Sequence, residues 1–183
     1  LELELAAPNV PSVETLRAEL QSGRYRAFGE VSNQYRGFEP SDSSFDPYLA
    51  VVEALDVPMS IHVGTGPPGA PYLGFAKYRA RLHSPLTIEE ALLKHPNLRV
   101  SLMHAGWPML DDLLAVMWTH PQVYVDVGII SYALPRAGFR TAWRAVALVA
   151  VAFLAIGAVA GALGMRSRIA RPTGISIPVR SLA

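Results

Sequence analysis

Short apolar runs recur along the first two thirds of the chain. They cover Ala27 to Val31, Met59 to Val63, Arg99 to His104 and Val123 to Val127, and each is followed by turn or loop residues. Apolar runs of this length, bounded by turn residues, predict buried β-strands. We therefore expect four strands in this part of the chain.

The segments between these strands carry signals for helix starts. Asp46 next to a proline predicts an N-cap with proline at the first helical position. Thr87 and Glu90 fit the spacing of a capping box, and a third helix is expected to run from Trp107 toward Thr119. The predicted order is β-α-β-α-β-α-β.

This order restricts the fold class to α/β. Strands joined by helical crossovers run parallel, and such a sheet is expected to be buried on both faces. A doubly wound sheet and a (β/α) barrel both satisfy the pattern. The sequence contains no G-x-G-x-x-G, P-loop or G-x-S-x-G motif. These motifs are the usual signals of a doubly wound sheet, so their absence favours the barrel. With 183 residues, the chain is too short for a full eight-fold barrel of about 250 residues.

The last third of the chain differs in composition. All 15 acidic residues lie between Glu2 and Asp126. Residues 145–165 carry no charge and have arginines on both sides. A helix over this run would be about 31 Å long, enough to cross a bilayer core. We predict a partial barrel domain at residues 1–139 and an arginine-flanked apolar tail at residues 140–183.

Three interpretations of the tail stay open. It is a transmembrane helix over residues 145–165, the product of a shifted reading frame, or a buried soluble helix. The first allows membrane association and leads to a different functional class, a single-span membrane protein with a non-catalytic α/β module.

Overall composition excludes some partners. The net charge of +1 gives no electrostatic reason to expect nucleic acid. The chain has no cysteine, so any metal must be held by histidine and carboxylate side chains, and a cytoplasmic location of the barrel portion is favoured. No targeting segment is expected at Leu1. The pattern is compatible with a homo-oligomer.

Two histidines follow successive predicted strands. His62 ends the second strand and His104 ends the third, so both are expected at the carboxyl ends of parallel strands, where barrels carry their active sites. Because neutral imidazole is a common ligand for zinc and related ions, the pair predicts a shared metal site. Buried histidines bonded to neighbouring carbonyl groups are the structural alternative. Glu30, near the end of the first strand, is a third candidate ligand, with simple solvent exposure as its alternative.

Other residues are candidates for weaker roles. His83 and Thr65 are candidate substrate-binding residues, although a surface loop is the competing interpretation for His83. The loop around Thr65 also suits a soluble binding domain that needs no metal. His95 and His120 each precede a proline at a helix end, where a cation complements the helix dipole.

Pocket walls and supporting residues complete the set. Trp107 is a candidate substrate-binding residue, and Gln34 and Tyr35 are candidate pocket walls. Asp126, on the fourth predicted strand, is expected either to support a metal-ligating histidine or to cap the following loop.

The middle of the chain carries a sequence pattern that is specific to one protein family. The segment SPLTIEEALLKHPNLRVSLMHAGWPMLDDLLAVMWTHPQVYVDVG resembles the amidohydrolase-related family of metal-dependent hydrolases and decarboxylases, and the resemblance extends from Ala27 to Phe139. It implies a (β/α)8 barrel that binds zinc or a similar divalent ion. The implied reaction is attack of metal-bound hydroxide on a carbonyl-type group of a small-molecule substrate, or a related decarboxylation.

The resemblance also implies ligand roles. The family takes an H-x-H pair from the first strand, one histidine each from the fifth and sixth, and an aspartate from the eighth. By motif, His62 matches the fifth-strand ligand and His104 the sixth-strand ligand, while Glu30 falls near a fourth-strand position that carries a ligand in some members.

This sequence departs from the family pattern at two places. It contains no H-x-H, and no aspartate follows Asp126. The expected architecture is therefore an incomplete (β/α)8 TIM barrel of about four β/α units, truncated at the front and replaced at the back by a long apolar C-terminal helix. Without the missing ligands, we expect weak metal binding and little hydrolase activity from the chain by itself.

Overall fold

A computed structural model describes residues 10–133, 140, 144–152, 154–155 and 158. The strands are β1 (Phe28–Val31), β2 (Met59–Ile61), β3 (Val100–Leu102) and β4 (Val123–Val125). The helices are α1 (Val13–Gln21), α2 (Asp46–Ala54), α3 (Glu89–Lys94), α4 (Leu110–Thr119) and α5 (Ile130–Ala133). Short 3-10 helices lie at Asn33–Arg36, Ala70–Tyr72, Ala80–His83, Pro85–Ile88 and Met103–Gly106.

The four strands form one parallel sheet in the order β1-β2-β3-β4. In one row across the sheet, Phe28 pairs with Met59, Met59 with Val100, and Val100 with Val123. Because each strand neighbours the next one in sequence, right-handed crossovers place the connecting helices on the same face. This single winding is the arrangement of a (β/α) barrel and differs from a doubly wound sheet.

The hydrophobic core lies between the sheet and these helices. Each strand contributes buried apolar side chains to it, and helices α1 to α4 each contribute one apolar side. The burial of each large side chain contributes about 1.5–3 kcal/mol before the opposing entropy is counted. The fully buried side chains include Leu16, Phe28, Leu49, Met59, Ile61, Leu92, Leu102 and Leu113.

The opposite face of the sheet is less covered. Ser60 and Ser101 are only half-buried, and Tyr124 is 58% exposed. The expectation of burial on both faces is therefore wrong for the described residues. The physical reason is the single winding, since helices that all lie on one side cover that side alone.

Two helix starts differ from the sequence-based prediction. Helix α2 has Phe45 at its N-cap, so Asp46 is already its first residue. Thr87 lies inside the 3-10 helix Pro85–Ile88, and its hydroxyl donates to the Ser84 carbonyl at 2.7 Å. The capping-box prediction for Thr87 is therefore wrong, because that hydroxyl is used one turn earlier.

Helix α1 was not predicted from the sequence. It begins at Val13, and the Ser12 hydroxyl accepts a hydrogen bond from the Thr15 amide at 3.2 Å. This is an ordinary N-cap. Leu16 and Leu20 bury the inner side of the helix against the core.

The predicted C-terminal helix is described only in part. Residues 144–152 are helical; Val146 packs into the core, whereas Leu148 is 71% exposed. Residues 159–165 of the predicted span lie outside the described residues. Across the portion of the chain that the structure does describe, no helix has both the length and the hydropathy needed to cross a membrane.

Candidate metal centre

Three polar side chains meet where neighbouring strands end. Glu30 lies on β1, His62 directly follows β2, and His104 lies in the 3-10 helix that follows β3. Since parallel strands share their carboxyl edge, the topology brings these positions to one rim of the sheet. The metal-site prediction requires this adjacency.

The distances within this cluster are short. His62 Nδ1 lies 2.8 Å from Glu30 Oε1, and His104 Nε2 lies 3.6 Å from the same oxygen. The two imidazole rings are 4.9 Å apart at an interplanar angle of 69°. One nitrogen or oxygen atom from each of the three side chains falls within 4.8 Å of the others.

This donor set fits a divalent ion. Ligand atoms around a tetrahedral zinc ion lie about 3.4 Å apart, as follows from metal–ligand distances of about 2.1 Å. The separations from Glu30 Oε1 to the two imidazoles bracket that value. The side chains of His62 and His104 are 8% and 12% exposed, and that of Glu30 is 35% exposed. The cluster is therefore shielded on the imidazole side and open on the carboxylate side.

The electrostatics of His62 favour a neutral ring. Burial lowers the pKa of His62, and the hydrogen bond with Glu30 opposes this only in part. Because a carboxylate accepts but does not donate, His62 Nδ1 carries the hydrogen and Nε2 keeps the lone pair. The Tyr35 hydroxyl lies 3.3 Å from that Nε2 atom. On the backbone of the same residue, Gln34 Nε2 donates to the His62 carbonyl at 2.6 Å.

His104 sits in an unusual backbone conformation. Its φ of 58° and the φ of 46° at Ala105 place two successive non-glycine residues in the left-handed region, which costs about 1–2 kcal/mol per residue. Asp126 holds this turn: its carbonyl accepts from the Ala105 amide at 2.8 Å and its Oδ1 from the His104 amide at 3.4 Å. The carboxylate also accepts from the Gly128 amide at 2.7 Å. Asp126 therefore supports His104 through the backbone and caps the following loop.

The loops after β2 and β3 touch at this rim. Gly64 has a φ of 82°, and a Cβ atom there would overlap the Trp107 backbone. The Thr65 amide donates to the Trp107 carbonyl at 3.0 Å. Thr65 is exposed and Trp107 half-buried, so both predicted substrate-binding residues border the cluster through their loops. Their contact with a substrate stays a prediction.

A family model for amidohydrolases matches residues 5–157. This chain belongs to the amidohydrolase family. The match extends beyond both ends of the segment from Ala27 to Phe139 that carries the recognisable motifs. The predicted domain boundary at residues 139/140 stays a prediction.

A solved structure supports the fold of this amidohydrolase-family chain. An uncharacterized TIM-barrel protein of Bordetella bronchiseptica superposes with a TM-score of 0.52 at 20% identity. The alignment covers 71% of this chain and 44% of the other protein, so the chain spans less than half of that barrel's length. No curated protein matches the chain significantly.

An aromatic cluster surrounds Tyr35 in this amidohydrolase-family chain. Its ring lies 5.0 Å from Phe75, 5.5 Å from Tyr78, 5.1 Å from His62 and 5.0 Å from His83. Burial raises the pKa of Tyr35 to about 12, so the phenol keeps its proton. The sequence predicted only a pocket wall here, because Tyr35 reaches His62 through space and not through a motif.

His83 is fully buried at 0% exposure. The surface-loop interpretation of this residue is therefore wrong, because the chain folds back and packs its ring 4.4 Å from Tyr78 and 5.5 Å from His62. Burial lowers its pKa to about 4, and the neighbouring His62 acts in the same direction. Neither ring nitrogen has a hydrogen-bond partner among the described residues. His83 borders the cluster but is not one of its three converging side chains.

The remaining two histidines lie away from the metal cluster. His95 and His120 are the C-cap residues of α3 and α4. His95 contacts Glu53 at 3.0 Å and Asp46 at 3.2 Å, and His120 contacts Glu89 at 3.2 Å. Both histidines therefore lie at helix ends, as the sequence predicted, and contact carboxylates of a neighbouring helix. Their interaction with the helix dipole stays a prediction.

Proposed function

We propose that Glu30, His62 and His104 form a divalent-metal site for attack of water on a carbonyl-type group of a small-molecule substrate, with a related decarboxylation as the other outcome. The observation that carries this proposal is the convergence of one carboxylate and two imidazoles within 4.8 Å. Membership of the amidohydrolase family supports the hydrolytic reaction class.

Zinc is the ion we propose first. Two histidines and one glutamate are a ligand set found in catalytic zinc sites, which keep a further position open for water or substrate. The chain has no cysteine, so no thiolate site competes for the ion. When bound, such an ion lowers the pKa of water and polarises a carbonyl oxygen.

The chain's own residues prepare the site in distinct ways. Glu30 Oε1 lies 2.8 Å from His62 Nδ1 and 3.6 Å from His104 Nε2, so these three atoms would hold the ion. The Asp126 backbone contacts fix the strained turn that aims His104. Thr65 and Trp107 border the rim where we propose that the substrate enters.

We further propose that the chain by itself turns over little substrate. The family's H-x-H pair does not occur in the sequence, and no aspartate follows Asp126 to act as the eighth-strand base. Three ligands hold an ion less tightly than the full set, and water without a base is poorly activated. Efficient metal-dependent turnover by the purified chain would contradict this point.

The test is zinc content. The wild type, the His62→Ala/His104→Ala double variant and the matched control His120→Ala are loaded with zinc, dialysed and assayed by mass spectrometry. We expect equal zinc contents in the wild type and the control, well above that of the double variant. Equal, negligible zinc in all three would refute the metal site. Circular dichroism checks that each variant is folded.

A further inference from the structure

The two imidazoles of the metal cluster present different nitrogen atoms to it. His62 faces Glu30 Oε1 with Nδ1 at 2.8 Å, whereas His104 faces the same oxygen with Nε2 at 3.6 Å. The second nitrogen of His62, Nε2, lies on the other side of the ring, 3.3 Å from the Tyr35 hydroxyl. Tyr35 therefore contacts a ligand of the proposed ion from behind.

Metal binding changes which nitrogen atom of His62 carries the hydrogen. In the metal-free protein Nδ1 donates to the Glu30 carboxylate, so the bare Nε2 accepts from the Tyr35 hydroxyl. Coordination through Nδ1 requires the lone pair of that atom, so a neutral ring must then hold its hydrogen on Nε2. The ring loses one proton to the solvent and takes up another, and its charge stays zero.

A phenol hydroxyl can pair with either form of this ring. Its hydrogen donates to a bare Nε2, and its oxygen accepts from a protonated one. Burial raises the pKa of Tyr35 to about 12, so the phenol keeps its proton. Phe75, Tyr78 and His83 pack around the phenol ring at 5.0–5.5 Å, and a Cβ atom at Gly66 would overlap its hydroxyl. The hydroxyl is therefore held beside the imidazole in both states.

We propose that Tyr35 is a positioning residue of the metal site: its hydroxyl holds the His62 ring with Nδ1 toward Glu30 and accepts the Nε2 hydrogen when Nδ1 binds the ion. This inference rests on the proposed metal site and adds a residue that acts on it through His62. Metal-ligating imidazoles commonly donate their second N–H to an acceptor that fixes the ring orientation. A half-turn of the ring would place a carbon atom where Nδ1 now lies.

The first measurement is zinc affinity, by competition titration with a chromophoric chelator. Tyr35→Phe keeps the aromatic ring and removes the acceptor, so zinc is expected to bind about tenfold more weakly, the lower end of the effect of losing such a partner. Tyr78→Phe is the matched control, because this phenol lies in the same aromatic cluster but its hydroxyl accepts from the Gly66 amide at 2.8 Å. Its zinc affinity is expected to equal that of the wild type.

The second measurement is the position of the His62 hydrogen, which a role in packing alone would not change. Long-range ¹H–¹⁵N correlation spectra of protein labelled with ¹⁵N-histidine distinguish a protonated ring nitrogen from a bare one, and His62→Ala identifies the signals by their loss. Zinc is expected to move the hydrogen of the wild type from Nδ1 to Nε2. In zinc-loaded Tyr35→Phe the Nε2 proton resonance is expected to move upfield, because its hydrogen bond is gone.

The possible contrary results separate this inference from the metal site. Wild-type zinc affinity in Tyr35→Phe, or an equal loss in Tyr78→Phe, overturns the positioning role and leaves the proposed metal site standing. A hydrogen that stays on Nδ1 of the zinc-loaded wild type also overturns the inference, and this spectrum needs no folded Tyr35 variant. Absence of zinc from the wild type overturns both the metal site and the inference.

Discussion

The histidines at the carboxyl rim of the sheet and those at the helix ends have different surroundings. At the rim, His62 and His104 converge on a single oxygen of Glu30. At the helix ends, His95 has two carboxylates of its own, from Asp46 and Glu53, whereas His120 has one.

The two groups of histidines differ in whether they share a carboxylate. At the rim, His62 Nδ1 and His104 Nε2 both face the same oxygen, Glu30 Oε1. Both nitrogen atoms of His95 instead face carboxylate oxygens on helix α2. An imidazole with its own carboxylates joins helices, whereas two imidazoles that share one carboxylate oxygen are arranged as ligands of one ion.

The largest expected effect is on zinc affinity, and it is tested by making the same substitution at the rim and at a helix end. Glu30→Gln replaces the carboxylate that both rim imidazoles face by a neutral amide and is expected to weaken zinc binding by at least about 100-fold. Glu89→Gln makes the identical change beside His120 and should leave zinc affinity unchanged. Zinc competition titration measures both. A similar loss of zinc affinity in the two variants would contradict the distinction between the rim histidines and the helix-end histidines.

The reverse experiment targets stability. His95→Ala removes two contacts to carboxylates and is expected to lower the free energy of unfolding by about 2 kcal/mol. Its zinc affinity should match the wild type. The control Glu90→Ala, exposed on the same helix, should change stability by less than about 0.5 kcal/mol. Urea unfolding provides the measurement, and a loss of zinc in His95→Ala would contradict the assignment.

His83 sharpens the comparison, because it lies beside the rim without joining the metal cluster. His83→Phe keeps an aromatic ring against Tyr35 and Tyr78 and removes two buried nitrogen atoms that have no hydrogen-bond partner among the described residues. Since an unsatisfied buried polar group is costly, we expect a stability gain of about 1 kcal/mol, with zinc affinity retained. A stability loss in urea unfolding would show that His83 makes a polar contact that this geometry lacks.

The smallest expected effect is on the pH dependence of the free energy of unfolding. The hydrogen bond from His95 holds the pKa of Asp46 below its ordinary value of 3.8. A carboxylate with a depressed folded pKa stabilises above the unfolded value and loses this contribution as the pH falls through the folded pKa. The stability difference between the wild type and Asp46→Asn should therefore be present at about pH 6 and shrink at about pH 3. A difference that grows on acidification would contradict this sign.

Sequence patterns predicted the strands well for a definite reason. Strands β1 to β4 lie inside the four predicted apolar runs, because each strand must bury apolar side chains in the core, such as Met59 and Ile61 of β2. Helix α1 escaped prediction since a short amphipathic segment with a Ser12 cap gives only a weak local signal. Thr87 misled the capping prediction because its hydroxyl had a nearer acceptor, the Ser84 carbonyl.

The sequence predicted which histidines belong to the candidate site, but not the contacts that they make. His62 and His104 follow strands that were recognisable from sequence, so the carboxyl rim could be inferred from parallel topology. The sequence could not predict in the same way that Tyr35 and His83 contact the site. Their importance depends on ring contacts across separate loops, which no residue spacing encodes.

The sequence alone determined the parallel α/β sheet, its likeness to the amidohydrolase family and the histidines at its rim. These depend on local periodicity and on the shared direction of parallel strands. Only the tertiary structure decided that Glu30 meets both imidazoles, that the Tyr35 hydroxyl contacts His62 and that His83 is buried. Such contacts join residues that are distant in the chain, and long-range packing fixes them.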